Sequence, residues 1–129
     1  MKDFSISWKG SITPKKQRKY RLNAPLHIKR RMLSAHLSKE LRKQYNVRNI
    51  PVHKGDTVII MRGRFRGTIG KIEKVYTKQL TVSVDNAKAV TKKGNKVPFK
   101  IRPSALMISE LDLSDGVRAE KIRSYGKAR

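Results

Sequence analysis

A short segment of the sequence places basic side chains between glycines. The basic residues are Arg62, Arg64, Arg66 and Lys71. The glycines are Gly55, Gly63, Gly67 and Gly70. Because glycine permits positive φ and close backbone approach, we expect a tight turn that presents guanidinium groups beside open backbone amides. Both kinds of donor suit phosphate and the RNA backbone, and we expect Phe65 to cover one end of the domain rather than to stack on a base.

Other phosphate-binding motifs do not fit this segment. The pattern G-x-x-x-x-G-K-[ST] fails because Phe65 stands at the first glycine position and Ile72 replaces the hydroxyl residue. The pattern G-x-G-x-x-G is also not met. Residues 67–70, Gly-Thr-Ile-Gly, resemble the backbone clamp of KH domains. That clamp joins helices, whereas this segment joins two predicted strands, so we do not assign it to a KH domain.

The sequence offers no convincing catalytic or metal-binding set. His27, His36 and His53 have no metal-ligand spacing, and we interpret them as surface or RNA-facing residues. The 9 acidic residues are scattered along the chain and suggest no paired carboxylates. We therefore expect no enzyme, no cofactor, no metal and no small-molecule substrate.

Charge is the dominant feature of this 129-residue chain, which has 32 Lys and Arg residues and a net charge of +23. Residues 1–50 carry +12, residues 51–100 carry +9, and the last 29 residues carry only +2. Such one-signed charge opposes compaction, so it implies a polyanionic partner, with nucleic acid the first candidate and an anionic membrane the second. The absence of cysteine excludes a disulfide scaffold, a thiolate zinc site and a cysteine nucleophile.

Apolar runs are short throughout the sequence. Residues 58–61 and 105–108 are the longest aliphatic runs, far below the ~20 residues that a spanning helix needs. The N-terminal residues lead into no apolar segment typical of a secretory signal. We expect a soluble protein of the cytoplasm or nucleus with no membrane partner.

The first 50 residues are predicted to form a basic N-terminal extension. Residues 1–22 contain few apolar side chains, so we expect an extended arm that orders on RNA. Within residues 23–50 we predict helices near 25–34 and 38–45, with a kink at 34–38. Ser38 is the expected N-cap of the second helix, Glu40 suits its first turn, and Asn46 is its expected stop. We expect the leucines of these helices to pack on the main domain, with Lys29 and its basic neighbours on the surface.

From residue 51 the apolar period changes to two. Five short runs, at 56–61, 69–76, 80–85, 97–101 and 105–108, predict strands separated by turn residues. The fold class is therefore mainly β, a small antiparallel barrel or sandwich over residues 51–113. Residues 92–96 form a basic turn that should project from it, and residues 114–129 are predicted to be a loose C-terminal extension with one or two helical turns.

Several motifs together resemble one known family. Residues 55–72 look like a KOW motif, a strand–turn–strand unit with alternating apolar residues and a fixed glycine. Upstream stand Lys-Gln-Arg-Lys-Tyr at 16–20, Asn-Ala-Pro-Leu-His at 23–27 and Leu-Ser-Lys-Glu-Leu-Arg at 37–42. In this order the motifs resemble, over roughly residues 14–113, the large-subunit ribosomal protein family numbered twenty-four in the universal scheme, in its archaeal and eukaryotic form (twenty-six in the eukaryotic scheme). The sequence departs from the family at 101–106, where Arg102 and Ala105 replace a usual His and Asn.

The resemblance implies an SH3-like β-barrel that binds the 5′ region of large-subunit rRNA during assembly and lies near the polypeptide exit tunnel. It implies neighbouring ribosomal proteins as partners, no homo-oligomer, and a cytoplasmic ribosome with nucleolar transit if the source is eukaryotic. The residues that we expect to contact RNA are Lys15, Lys16, Arg18, Lys19, Tyr20, Arg21, His27, Arg30, Arg31, Arg42, Lys43, Arg62, Arg64, Arg66, Lys71, Lys92, Lys93, Lys96 and Arg102.

Two other classes of protein remain open from the sequence. A KOW-type regulator of transcription elongation would bind polymerase, but such a module needs an apolar protein-facing patch rather than a net charge of +23. A cationic membrane-active protein would bind lipid through a basic helix, but here the basic residues surround a narrow apolar stripe that carries no Trp or Phe.

Overall fold

The computed structural model describes residues 4–127, which form one mixed sheet and four α-helices. The strands are β1 (Ser34–Leu37), β2 (Asn49–Pro51), β3 (Thr57–Ile60), β4 (Ile69–Tyr76), β5 (Thr81–Val90), β6 (Lys96–Ile101) and β7 (Leu106–Glu110). The helices are α1 (Pro14–Asn23), α2 (Leu26–Met32), α3 (Lys39–Tyr45) and α4 (Gly116–Lys127). Short 3₁₀ helices span Ile6–Gly10 and Pro103–Ala105.

The seven described strands lie in the order β2-β1-β7-β3-β4-β5-β6. All neighbours are antiparallel except β1 and β7, which run parallel with His36 opposite Met107. Within residues 4–127 no ladder joins the edge strands β2 and β6. The prediction of a small barrel over residues 51–113 is therefore wrong in closure, whereas the antiparallel pairing predicted within that range is confirmed. The physical reason is that β1 occupies the edge of β7 and continues the sheet, as in the 2.9 Å bond that the Ser38 amide donates to the Ile108 carbonyl.

The five strands predicted by the period of two are confirmed as β3 to β7. Buried positions alternate with less buried ones in β3, in β7 and in the first half of β4, which is the pattern of a half-buried strand, whereas β6 is exposed except at Ile101. Buried core residues from these strands are Val58, Ile60, Ile72, Val82, Val84, Ala87, Ile101, Leu106 and Ile108. The sequence missed β1 and β2, because a four-residue and a three-residue strand between helices carry too few alternations to be recognised.

The two helices predicted in the N-terminal extension are confirmed as α2 and α3, although β1 stands where a kink was expected. The Ser38 hydroxyl accepts a bond from the Leu41 amide at 3.3 Å, so it caps α3 as predicted. Asn46 ends that helix in the left-handed conformation, with φ of 52°. Leu33 and Leu37 pack in the core as expected, whereas Leu26 is half exposed.

The segment expected to be an extended arm is helical in its described part. Residues 14–23 form α1, and the Gln17 side-chain amide donates to the carbonyls of Trp8, Lys9 and Ser11, which joins the preceding 3₁₀ helix to α1. The Tyr20 ring is buried and stacks on Phe4, with centroids 5.4 Å apart. These contacts therefore order a segment for which the composition predicted no ordered structure.

The C-terminal segment is also more ordered than predicted. Residues 116–127 form α4, and Ile122 is buried in the core. The Arg118 guanidinium bonds both oxygens of Asp56, at 2.7 Å each, and the Asp56 side chain has no solvent exposure. The backbone amides of His53 and Asp112 donate to the same carboxylate. This ion pair fixes α4 to the turn before β3, so the expectation of a loose extension is wrong.

Candidate nucleic-acid interface

The glycine-rich connection between β3 and β4 is a tight turn, as predicted. Gly63 and Gly67 have φ of 94° and 85°, a region that other residues rarely adopt. The Gly67 amide donates to the Ile60 carbonyl at 2.8 Å and the Arg66 amide to the Gly63 carbonyl at 3.1 Å. This closed loop, which we call the arginine loop, carries the exposed side chains Arg62, Arg64 and Arg66. It therefore presents three guanidinium groups from a fixed backbone.

Phe65 covers part of the core, as predicted. Its ring packs against the core and meets Phe99 of β6 with centroids 5.2 Å apart. The Arg64 guanidinium lies 5.9 Å from the Phe65 ring centroid. The pair of phenylalanines connects the arginine loop to the β5–β6 hairpin.

The β5–β6 hairpin is a second exposed basic element. The Thr91 amide and hydroxyl both donate to the Asn95 carbonyl, and Gly94 has φ of 81°, which closes the turn. Its predicted RNA-binding lysines Lys92, Lys93 and Lys96 are all exposed. From Phe99 to Lys96 the strand extends about 10 Å. The hairpin tip therefore begins about 10 Å along β6 from the contact with the arginine loop.

Tyr76 at the end of β4 forms a basic feature that the sequence analysis missed. The Lys74 ammonium lies 5.6 Å and the Lys100 ammonium 5.1 Å from the Tyr76 ring centroid. Two cations at one ring are favoured by the ring quadrupole. Lys74 and Tyr76 stand two apart in a strand, which could have indicated a shared face, but Lys100 comes from β6 and only the sheet register brings it near.

A groove of about 1310 Å³ lies between the N-terminal helices, the β4–β5 turn and the β6–β7 connection. Six predicted RNA-binding residues line it: Arg18, Tyr20, Arg21, His27, Arg31 and Arg102. Lys9 and Lys78 line it too and were not predicted. Among its described lining residues there is no Asp or Glu. The fold thus gathers cations from four distant parts of the sequence onto one concave surface.

Lys29 connects two walls of the groove. The sequence analysis placed it on the surface, but it is buried, with 8% of its area exposed. Its ammonium donates to the Leu22 carbonyl at 2.9 Å and to the Lys78 carbonyl at 3.4 Å. The first carbonyl belongs to α1 and the second to the β4–β5 turn, so Lys29 joins two walls of the groove.

The remaining predicted residues are spread over other surfaces. Lys15, Lys16, Lys19 and Arg30 are exposed on α1 and α2, Lys43 is exposed on α3, and Lys71 is exposed on β4. The Lys19 ammonium lies 5.7 Å from the Trp8 ring centroid.

Three other residues singled out from the sequence are partly or fully buried. The Arg42 Nε donates to the Leu37 carbonyl at 2.8 Å, and Tyr20 is buried against Phe4. His36 lies half-buried on β1, which stands between β2 and β7 in the sheet.

A smaller cavity of about 300 Å³ adjoins the groove at Arg31. Its lining includes Arg48, Asn49 and Tyr125, none of which the sequence analysis singled out. Tyr125 is contributed by α4, so the C-terminal helix supplies part of the lining of this cavity.

Residues 4–127 contain neither a candidate membrane-spanning helix nor a candidate metal cluster. None of the helices in this range has the length and apolarity to cross a membrane. The same range contains no cluster of three or more His, Asp or Glu side chains arranged to hold a metal.

The comparisons with known proteins agree on a single family. The model of the family that comprises the eukaryotic ribosomal protein L26 and its archaeal L24 counterpart matches residues 11–124. The large ribosomal subunit protein uL24 of Pyrobaculum islandicum is 42% identical over 117 residues, which cover 91% of this chain and 95% of that protein. The protein of the same name from Methanosarcina barkeri is 44% identical over 113 residues, covering 88% and 97%. With its basic loop, hairpin and groove, the chain therefore belongs to the uL24 family of large-subunit ribosomal proteins.

Proposed function

We propose that the chain is a structural constituent of the large ribosomal subunit that binds rRNA. The observation that carries this proposal is the groove, where Lys9, Arg18, Arg21, Arg31, Lys78 and Arg102 meet with no acidic residue among its described lining. Such a cluster is destabilising alone, since like charges repel, and favourable beside a phosphate backbone.

The arginine loop and the lysine hairpin form a second RNA-binding surface in this proposal. The loop supplies guanidinium groups that bind phosphate oxygens in pairs, and the hairpin supplies point charges. With about ten phosphate contacts in all, the logarithm of the binding constant falls with the logarithm of salt concentration by about 0.7 to 0.9 per contact.

We further propose, from the family resemblance, that the bound RNA is the 5′ region of the large-subunit rRNA and that the protein lies near the polypeptide exit tunnel. Its partners there are that rRNA and neighbouring ribosomal proteins. In this proposal strands β3 to β7 carry the KOW-like turn. They are the part of the sheet to which the SH3-like fold implied by the resemblance refers. The protein then resides on cytoplasmic ribosomes, with nucleolar transit in a eukaryotic cell.

Crosslinking in native ribosomes tests this proposal. The protein is crosslinked to RNA in purified large subunits, and the crosslinked peptides and nucleotides are identified. We expect peptides from the groove and the β3–β4 loop joined to the 5′ region of the large-subunit rRNA. Co-purification with RNA polymerase instead of large subunits would favour the elongation regulator, and liposome binding that survives nuclease would favour the membrane protein.

A further inference from the structure

The groove combines its cations with exposed apolar side chains on one concave surface, whereas the exposed Val90, Val97 and Phe99 of the β5–β6 hairpin lie outside it. Ile6 and Leu22 are 70% and 71% exposed, although both line the groove. Ile28, Met32 and Leu80 line it as well and are partly buried. Apolar area of this kind gains free energy when a ligand removes it from water.

A double helix offers little to these apolar side chains. Its outer surface consists of phosphates and sugars, and its base faces are stacked inside. Unpaired nucleotides present free base faces as well as phosphates, and proteins that bind them combine a cationic groove with side chains on which the bases rest. The groove has both components, and its cations come from opposite walls, with Arg18 and Arg21 on α1 and Lys78 on the β4–β5 turn.

We propose that this groove binds an unpaired stretch of RNA, with bases on Ile6 and Leu22 and phosphates on the cations of the walls. The proposal rests on the proposed rRNA-binding function and specifies the form of RNA that this surface takes. The arginine loop binds phosphates of either form, since its only aromatic ring, Phe65, is engaged with Phe99. Base contact is therefore assigned to the groove and not to the loop.

Lys29 gives the groove the rigidity that this role needs. Its bonds to the Leu22 and Lys78 carbonyls hold the wall residue Leu22 at a fixed distance from the opposite turn. A side chain that is fixed before binding loses less conformational entropy on binding. Lys29 contacts the backbone carbonyl of Leu22 and not its side chain. A substitution of the Leu22 side chain therefore leaves this contact in place.

The test compares two RNA probes on the full-length protein. One probe is an unstructured single strand of about 12 nucleotides, and the other is a hairpin duplex with the same number of phosphates. The variant Ile6→Ser with Leu22→Ser removes apolar area and no charge. We expect its affinity for the single strand to fall about tenfold, its affinity for the duplex to stay within about twofold, and its salt dependence to be unchanged.

The matched control is Ile12→Ser with Val117→Ser. These side chains are 99% and 75% exposed and do not line the groove. The control therefore removes a similar exposed apolar area away from the groove, and both probes should bind it with native affinity. A second variant, Leu22→Trp, adds a stacking face and should bind the single strand about threefold more tightly. This gain of function cannot arise from partial unfolding.

The outcomes separate the inference from the proposed function. Equal loss of both probes, or no loss of the single strand, overturns the inference and leaves rRNA binding intact. Failure of the native protein to bind either probe and to crosslink to rRNA in large subunits overturns the proposed function itself. If a photocrosslinker placed at position 22 joins a neighbouring protein rather than RNA in native subunits, the groove is a protein-binding surface and the inference is wrong.

Discussion

Replacing Arg118 by methionine tests whether the C-terminal helix is held by its ion pair. The Asp56 side chain is fully buried and that of Arg118 is 11% exposed, so water contributes little to either group. The substitution keeps the apolar stem and removes two charge-assisted bonds of 2.7 Å. It leaves a carboxylate buried among backbone groups, which is the costly way to break such a pair.

The expected loss of stability depends on the hydrogen bonds that the Asp56 carboxylate keeps after the substitution. Losing one partner of a buried ion pair costs about 3–5 kcal/mol. Here the amides of His53 and Asp112 still donate to the carboxylate, which places the expected loss near the lower limit, at about 3 kcal/mol. For a domain of this size that loss corresponds to a fall in Tm of roughly 10–15 °C.

Thermal and urea unfolding, followed by circular dichroism, measure the effect. The matched control is Arg123→Met on the same helix, where the side chain is exposed and the change should be within about 0.5 kcal/mol. A double-mutant cycle with Asp56→Asn should give a coupling of about 2 kcal/mol. If Arg118→Met and Arg123→Met unfold at the same temperature, the ion pair does not hold α4 and our account of its docking is refuted.

Three other substitutions test separate features. Arg64→Ala with Arg66→Ala should lower the salt slope of RNA binding by about 1.4 to 1.8 and leave Tm unchanged; a lower Tm with unchanged RNA affinity would show that the loop is structural. Gly70→Ala should lower the free energy of unfolding in urea by about 1–3 kcal/mol, because a Cβ there would collide with two β5 side chains. Gly116→Ala, which has open space around its Cβ position, should not lower it, and equal effects of the two substitutions would refute the packing argument. Hydrogen bonds from the backbone and side chain of Ser114, with nearby cations, hold the pKa of Asp112 below its ordinary 3.8, against the opposing effect of burial. The stability that this carboxylate supplies is therefore present above pH 3.8 and lost as the pH falls below it. Asp112→Asn should thus reduce the loss of Tm between about pH 5 and about pH 2, roughly one to two units either side of the ordinary carboxyl value, and an unchanged acid profile would contradict this.

The sequence by itself determined the local features of this protein. The period of two predicted β3 to β7, the serine cap and the asparagine stop predicted both ends of α3, and the glycine spacing predicted the turn that carries Arg64. These features depend on neighbours within a few residues, so their physical causes are present in the sequence. The family, too, was indicated by motifs that are local in this sense.

Only the tertiary structure decided how these parts combine. The parallel contact of β1 with β7, the burial of Tyr20 and the pairing of Asp56 with Arg118 all join residues far apart in the chain. Burial free energy and desolvation depend on these distant partners. Local composition and periodicity therefore predicted an extended arm, a loose tail and a barrel or sandwich of five strands instead. The groove has the same origin: the basic residues could be counted in the sequence, but folding brought Arg18, Lys78 and Arg102 to one concave surface.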